Sequence, residues 1–143
     1  MDFFAQLSDQ VHAVMSARNQ ARDQALMHSR ELTRHAAHAI RAIHRSDHDL
    51  AHEHLQAARQ LVETLQRDLM TDFPQIYYAG YTQDAIKEFV EATVTVALIE
   101  ERPLPLPSEL DMDPAVYLNG MAEVPGELRR RTLDILRKGY SEE

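Results

Sequence analysis

The sequence predicts an all-α protein, a bundle of long antiparallel helices, in a single domain over residues 1–143. Three observations support this prediction. Apolar residues recur at helical spacing along most of the chain, no segment alternates between apolar and polar residues as a strand does, and 143 residues include only four Gly and six Pro. A chain of this length also fits one domain.

The first predicted helix, from about Phe3 to His44, is the longest and contains no Gly or Pro. Its stripe of mostly small or apolar residues has a period between that of a straight helix and that of a coiled coil, so we expect close packing against another helix. Because so long a helix is rarely stable alone, we also expect a homo-oligomer. The stripe consists of Phe4, Leu7, Val11, Val14, Arg18, Ala21, Ala25, Ser29, Leu32, Ala36, Ile40 and Ile43.

The second predicted helix begins at Ser46, which forms an approximate capping box with Asp49, and continues to about Thr71. Phe73-Pro74 ends it, because a residue that precedes proline avoids helical dihedral angles.

A third helix is predicted from a start between residues 75 and 82 to residue 101, and it is apolar on most sides from residue 85 to 99. Such a helix lies at the centre of a bundle. Alternate prolines make residues 102–108 an extended linker. The fourth helical region begins at Asp113-Pro114, is broken or kinked at Pro125-Gly126, and resumes to about Lys138.

Composition excludes several classes of protein. The absence of Cys excludes disulfides, thiolate nucleophiles and Cys-based zinc sites. A net charge of −8 argues against a simple electrostatic nucleic-acid binder, whose domain is usually basic. No apolar run is long enough to span a membrane and the first residues resemble no signal peptide, so we expect a cytoplasmic protein without membrane contact.

The acidic residues of the third helix are the main chemical signal. Asp84, Glu88 and Glu91 share one face of an otherwise apolar helix, and Glu123 and Glu127 form a second pair at i, i+4. Four carboxylates around one cavity suit a hard cation such as Mg²⁺ or Mn²⁺, which can activate water and stabilise charge on a phosphoryl group. The alternative interpretation is a pair of solvated acidic helix faces.

Three blocks of the sequence resemble the translin superfamily, which comprises translin and translin-associated factor X. Residues 29–33 (SRELT) and 39–45 (AIRAIHR) resemble its first block. Residues 88–92 (EFVEA) are similar to the E-Y-V-E-A block of the factor X branch. Residues 117–130 (YLNGMAEVPGELRR) resemble that branch's Y-L-x-G-x-A-D-x-x-G-E-L-x-R pattern, with Glu123 in place of Asp and Pro125 between the two acids.

The resemblance implies an all-helical fold that assembles into a closed shell, binds single-stranded RNA or DNA and, in the factor X branch, cleaves RNA with Mg²⁺. The metal-binding acids of that branch match Glu88, Glu91, Glu123 and Glu127, which we expect to be the catalytic residues and to bind Mg²⁺ or Mn²⁺. The chain ends before the family's last helices, so we expect it to lack them and to form an oligomer smaller than an octamer.

Six arginines are the candidate nucleic-acid contacts, because phosphate contacts need only such donors and carry no sequence preference. The alternative is that they are solvated or pair with nearby acids. The six are Arg30, Arg34, Arg41, Arg45, Arg129 and Arg130, of which Arg30, Arg45 and Arg130 match basic positions of the superfamily blocks. Two weaker candidates are the cluster Tyr77, Tyr78 and Tyr81, as a stacking surface for bases, and the pair His48 and His52, as metal ligands without a third partner.

The resemblance, together with these residues, implies a Mg²⁺-dependent endoribonuclease that acts on single-stranded RNA. Two alternatives remain. One is an oligomer that binds single-stranded RNA or DNA without cleaving it, and the other is a helical carboxylate nucleotide pyrophosphohydrolase. A di-iron bundle is disfavoured because it needs Glu-x-x-His pairs, and no His follows residue 54.

Overall fold

The computed structural model describes residues 2–139, which form five α-helices and their connections. No strand occurs in this range, which confirms the all-α prediction. The helices are α1 (Phe3–His44), α2 (His48–Leu69), α3 (Pro74–Tyr77), α4 (Gly80–Ile99) and α5 (Pro114–Arg137), with a 3₁₀ turn at Pro107–Leu110. Within the described residues, no helix combines the length and hydropathy that crossing a bilayer requires.

Helix α2 runs antiparallel to α1 and α4. A three-residue turn joins α1 to α2, and the C-terminal end of α1 (Ala42 and Ile43) shares a hydrophobic cluster with the N-terminal end of α2 (Ala51) and with Val96 near the end of α4. One turn earlier on α1, Ala36 and Ala39 share a cluster with Ala92. Helices α1 and α4 therefore run in the same direction, and α2 packs against them in the opposite direction.

Helix α5 runs parallel to α4. Near the start of α5, Val116 lines a cleft with Gln83 and Asp84 at the start of α4. Farther along α5, Arg131 reaches the end of α1 at Ile43, which packs with Val96 near the end of α4. Parallel neighbours cannot be joined by a tight turn, so residues 100–113 return along the bundle before α5 begins. The proline-rich linker provides this extended return, and its last residues form the 3₁₀ turn.

Two predicted features at helix boundaries are wrong. Asp47, and not Ser46, caps α2: its carboxylate accepts a hydrogen bond from the Leu50 amide at 3.3 Å, while Ser46 takes a left-handed conformation (φ 60°) in the turn that ends α1. The predicted break at Pro125-Gly126 does not occur, since α5 is continuous through both residues. Pro125 is on the exposed side of α5, so its ring needs no space in the core.

The N-terminal half of α1 extends beyond the bundle. Its 42 residues make a helix roughly 60 Å long, yet its first buried residue is Ala25. The apolar stripe predicted from the sequence is therefore divided: from Ala25 onward it packs within the chain, while its first part is exposed. The exposed apolar residues of this part are Phe3, Phe4, Leu7, Val11, Val14 and Met15.

Candidate functional site

The parallel packing of α4 and α5 brings the two predicted carboxylate pairs together. Glu88 and Glu91 lie on the side of α4 that faces α5, and Glu123 and Glu127 lie on α5 beside them, close enough for their charges to act on Glu91. Glu91 is buried, Glu88 and Glu127 are partly buried, and Glu123 is half-exposed. One i, i+3 pair and one i, i+4 pair on parallel helices thus form one cluster of four acids.

Gly120 allows the close approach of these two helices. A Cβ atom built on Gly120 would lie 2.6 Å from the Val90 Cβ and 2.9 Å from the Lys87 carbonyl oxygen, both shorter than real Cβ contacts. The backbone of α5 therefore lies directly against α4 one turn before Glu123. The sequence contains this glycine within its YLNG segment but gives no sign of what it contacts.

Glu91 has the most perturbed environment of the four acids. Its residue surface is 8% exposed, and it sits among apolar neighbours on α4. Burial is the largest cause that raises its pKa, and the negative charges of Glu88, Glu127 and Glu123 add to it; together they raise the pKa of Glu91 to about 7. A buried carboxylate surrounded by like charges is a strong candidate for a functional group.

A lysine and a histidine contact the cluster from its edges. The Nζ of Lys87 lies 3.4 Å from Glu123 Oε1 and 3.8 Å from Glu88 Oε1. Burial opposes charge on this lysine, but its hydrogen bond to Glu123 and the charges of Glu123, Glu88 and Asp84 raise its pKa. His44, from the end of α1, places Nε2 2.7 Å from Glu127 Oε2.

His44 is a residue of the site that sequence reasoning missed. Its side chain is 5% exposed, and its second ring nitrogen, Nδ1, is buried without a hydrogen-bond partner among the described residues. The only signal in the sequence was its place in the AIRAIHR block, because its contact with Glu127 spans 83 residues of chain. Arg131 strengthens the same junction by donating from Nη1 to the Ile43 carbonyl at 3.3 Å.

The donor set suits a hard divalent cation, since Mg²⁺ and Mn²⁺ prefer carboxylate oxygens. Glu91 is buried and lies near three other negative charges. A bound cation would therefore stabilise the charged form of Glu91 more than that of the other acids. In residues 2–139, no three His, Asp or Glu side chains already surround a common point. Lys87 holds Glu123 and His44 holds Glu127, so these carboxylates must turn to bind a cation.

Comparison with known proteins identifies the fold. No protein-family model matches the chain. An uncharacterized protein of Methanocaldococcus jannaschii is 32% identical over 125 residues, which cover 86% of this chain and 54% of that protein. The crystal structure of apo-NeC3PO superposes with a TM-score of 0.85 at 24% identity, covering 94% of this chain and 70% of the other.

Two further structures are more similar in sequence. The AfC3PO–duplex RNA complex gives a TM-score of 0.79 at 29% identity over 92% of this chain and 66% of that chain, and AfC3PO alone gives 0.76 at 28% over 95% and 67%. The chain shares the fold of these C3PO chains, which supports the resemblance to the translin superfamily. It spans about half the length of its curated relative and about two thirds of these solved chains.

The six candidate arginines lie in two places. Arg30, Arg34, Arg41 and Arg45 are exposed on the side of α1 that faces away from the core, and Arg129 and Arg130 are exposed on α5. Arg34 makes a 3.8 Å ion pair with Glu31. The structure therefore brings the α1 arginines together along one helix face, separately from the α5 pair.

A cleft of about 340 Å³ opens beside the carboxylate cluster, at the N-terminal ends of α4 and α5. Lys87 and Asp84 line it on one side and Asp113 and Asn119 on the other. Tyr78 also lines it and is exposed, whereas Tyr77 is buried. Of the predicted tyrosine cluster, Tyr78 is thus the ring placed to stack on a base near the acids.

The predicted pair His48 and His52 contacts a carboxylate that the sequence did not suggest. Glu100 places Oε1 2.7 Å from His48 Nδ1 and 2.9 Å from His52 Nε2. Arg102 also binds Glu100 and lies 2.9 Å from His52 Nε2, so a guanidinium occupies the position beside these groups. The cluster connects the start of α2 to the end of α4 and holds the beginning of the linker.

Proposed function

We propose that this protein is a Mg²⁺-dependent endoribonuclease of the factor X type, acting on single-stranded RNA. Glu88, Glu91, Glu123 and Glu127 together form its catalytic metal site. The observation that carries the proposal is the burial of Glu91 among three other carboxylates. Ionising a carboxyl group in such surroundings costs free energy unless the charge is paired or bound to a cation. A cluster of this kind would therefore destabilise the fold if its role were only structural.

The residues of the chain have separate roles in this proposal. When bound, Mg²⁺ supplies positive charge that favours hydrolysis of a phosphodiester. The four carboxylates hold it, and His44 holds Glu127 at the edge of the site before the cation binds. Lys87 keeps the cluster partly neutralised before the cation arrives, through Glu123 and Glu88.

The nucleic acid is proposed to follow the exposed arginines. Arg30, Arg34, Arg41 and Arg45 offer phosphate contacts along α1, and Arg129 and Arg130 offer them along α5. AfC3PO has been solved in complex with duplex RNA, so a chain of the same fold accepts RNA. Single-stranded specificity in the present protein is our proposal, and competition by duplex RNA tests it.

Homo-oligomerisation is proposed from the unpaired half of α1. Its exposed stripe includes Phe4, Leu7, Val11 and Val14, which contact no core of their own chain. A contiguous apolar stripe on a projecting helix is typical of a protein–protein contact, and a second copy offers a matching stripe. We further propose a cytoplasmic location, without membrane contact, for the assembly.

A second candidate function is binding without cleavage. Lys87 pairs with Glu123 and Glu88, and His44 forms a hydrogen bond with Glu127, so this arrangement can persist with no cation. In that case the cluster stabilises the α1–α4–α5 junction, while the arginines alone bind single-stranded RNA or DNA.

Cleavage of an end-labelled single-stranded RNA, with Mg²⁺ or with EDTA, distinguishes these functions. We expect the wild type to cleave only with Mg²⁺, and Glu91→Gln to lose more than the roughly 10–100-fold that removal of a supporting residue costs. Glu63→Gln, on an exposed part of α2, is the matched control and is expected to retain full activity. Binding without cleavage in both proteins would indicate the non-catalytic function, and hydrolysis of free nucleoside triphosphates would indicate a pyrophosphohydrolase.

A further inference from the structure

Three histidines meet on the surface between α1 and α2, away from the carboxylate cluster. His35 Nδ1 lies 3.0 Å from His54 Nδ1, and the ring of His38 is 5.0 Å from that of His54, centroid to centroid. At 3.0 Å, one Nδ1 must donate its proton to the other, so at least one ring of this pair is neutral. We call His35, His38 and His54, together with the neighbouring Arg34, Arg41 and Arg45, the histidine face.

The histidine face carries an excess of positive charge in a protein whose net charge is −8. On α1, the charges of Arg41, Arg34 and Arg45 all act on His38. Among the described residues, neither Arg41 nor Arg45 forms an ion pair with a carboxylate. Two acids face this group: Glu53 on α2 acts on His54, and Glu31 on α1 pairs with Arg34.

Because cations are concentrated at the histidine face, protonation of its rings costs free energy unless an anion binds there at the same time. Desolvation, followed by nearby cations, lowers the pKa of His38 and of His54, so both rings resist protonation when no anion is bound. If His35 and His54 were both protonated, their Nδ1–H groups would point at each other and repel. An anion bound beside these rings and the neighbouring arginines offsets this repulsion.

The position of the face relative to the carboxylate cluster fits one continuous strand. His38 precedes His44 by six residues, which is about 9 Å along the axis of α1. Arg41 lies midway between them, both along the helix and around it. A strand whose phosphodiester reaches the carboxylates beside His44 can therefore continue past Arg41 to the histidine face.

We propose that the histidine face binds a backbone phosphate of the nucleic acid, and that His38 and His54 take up protons as the phosphate binds. Binding at this face therefore strengthens as the pH falls, independently of any cation at the carboxylates. The inference rests on the proposed nucleic-acid binding and adds its regulation by protons.

The test is the affinity for a short single-stranded RNA, measured by fluorescence anisotropy in EDTA at pH 5.5 and pH 8. With a slope of about 0.7 per neutralised phosphate, each additional phosphate bound at 0.1 M salt tightens binding about fivefold and steepens the salt dependence by about 0.7. We expect the wild type to bind at least one additional phosphate at pH 5.5. Glu91 also gains a proton between these pH values, so the comparison is made in a Glu91→Gln background. There, the triple variant His35→Gln, His38→Gln and His54→Gln is expected to lose the additional phosphate contact at pH 5.5.

Two further variants keep the test decisive. His38→Gln alone changes an exposed ring, leaves the α1–α2 packing intact and is expected to lose part of the pH dependence. His12→Gln, on the exposed part of α1, is the matched control and should keep all of it. A triple variant that binds RNA with the wild-type pH dependence overturns the proposal, as does a wild type without any.

The outcomes also separate this inference from the proposed function. Binding that depends on pH through these histidines, with no cleavage in Mg²⁺, supports the histidine face and contradicts the nuclease. Cleavage in Mg²⁺, with binding that does not depend on pH, supports the nuclease and contradicts the histidine face. Failure to bind RNA at either pH contradicts both.

Discussion

Gly120→Ala is expected to force α5 away from α4 and to disrupt the carboxylate cluster. The added methyl group would meet the Val90 Cβ at 2.6 Å and the Lys87 carbonyl at 2.9 Å, and the latter belongs to a helix backbone that cannot move independently. Overpacking of this kind costs about 1–3 kcal/mol. Because Glu123 is the next residue of α5 to contact Lys87, we also expect a large loss of cleavage. Urea denaturation and the RNA cleavage assay measure the two effects.

Gly126 on the same helix is the matched control. A Cβ built there has nothing within 4 Å, so Gly126→Ala meets no steric cost. Alanine is up to about 1 kcal/mol better than glycine inside a helix, so this variant is expected to be slightly more stable than the wild type. Gly120→Ala should thus lower the free energy of unfolding, and Gly126→Ala should raise it slightly. Equal stability of Gly120→Ala and the wild type would contradict the close contact of α4 and α5.

The buried charge of Glu91 is expected to make the metal-free protein less stable at alkaline than at acidic pH. The raised pKa means that the folded state holds a proton on Glu91 that the unfolded state has already released. The stability that this proton contributes is therefore fully present below the ordinary pKa of 4.5, and it is lost as the pH rises through about 7. At about 1.4 kcal/mol for each pKa unit, the loss is up to about 3 kcal/mol.

Urea denaturation in EDTA between pH 5 and pH 8 measures this effect, as the difference between the wild type and Glu91→Gln. Because the amide does not titrate, the variant should be the more stable protein at pH 8, and its advantage should shrink toward pH 5. Glu63→Gln, which changes an exposed carboxylate, should follow the wild type at every pH. A constant difference between wild type and Glu91→Gln across this range would show that Glu91 does not titrate there.

Much of this arrangement is encoded locally and could be predicted from the sequence. The helical period of apolar residues predicted α1, α2 and α4 closely, because α2 and the second part of α1 each bury a stripe and α4 is buried on most sides. The spacing of Glu88 and Glu91, and of Glu123 and Glu127, placed each pair on one helix face. Whether two helix faces meet depends on tertiary packing, which spacing along one helix does not reveal.

The features that were missed depend on contacts between distant segments. The parallel direction of α5 depends on how the linker crosses the bundle, and His44 and Lys87 join the site through residues 83 and 36 positions away. The continuity of α5 was missed for a related reason. Pro125 in isolation predicts a break, but the packing of Gly120 and Val124 on one side of it maintains the helix.

Binding of Mn²⁺ to the purified protein, followed by the electron paramagnetic resonance signal of the free ion, tests most directly whether the four carboxylates form one metal site. We predict one saturable site per chain that is lost in Glu91→Gln and in Glu127→Gln and retained in Glu63→Gln. Competition by Mg²⁺ should release the bound Mn²⁺. No binding by the wild type, or binding that survives both site variants, would contradict the four-carboxylate site.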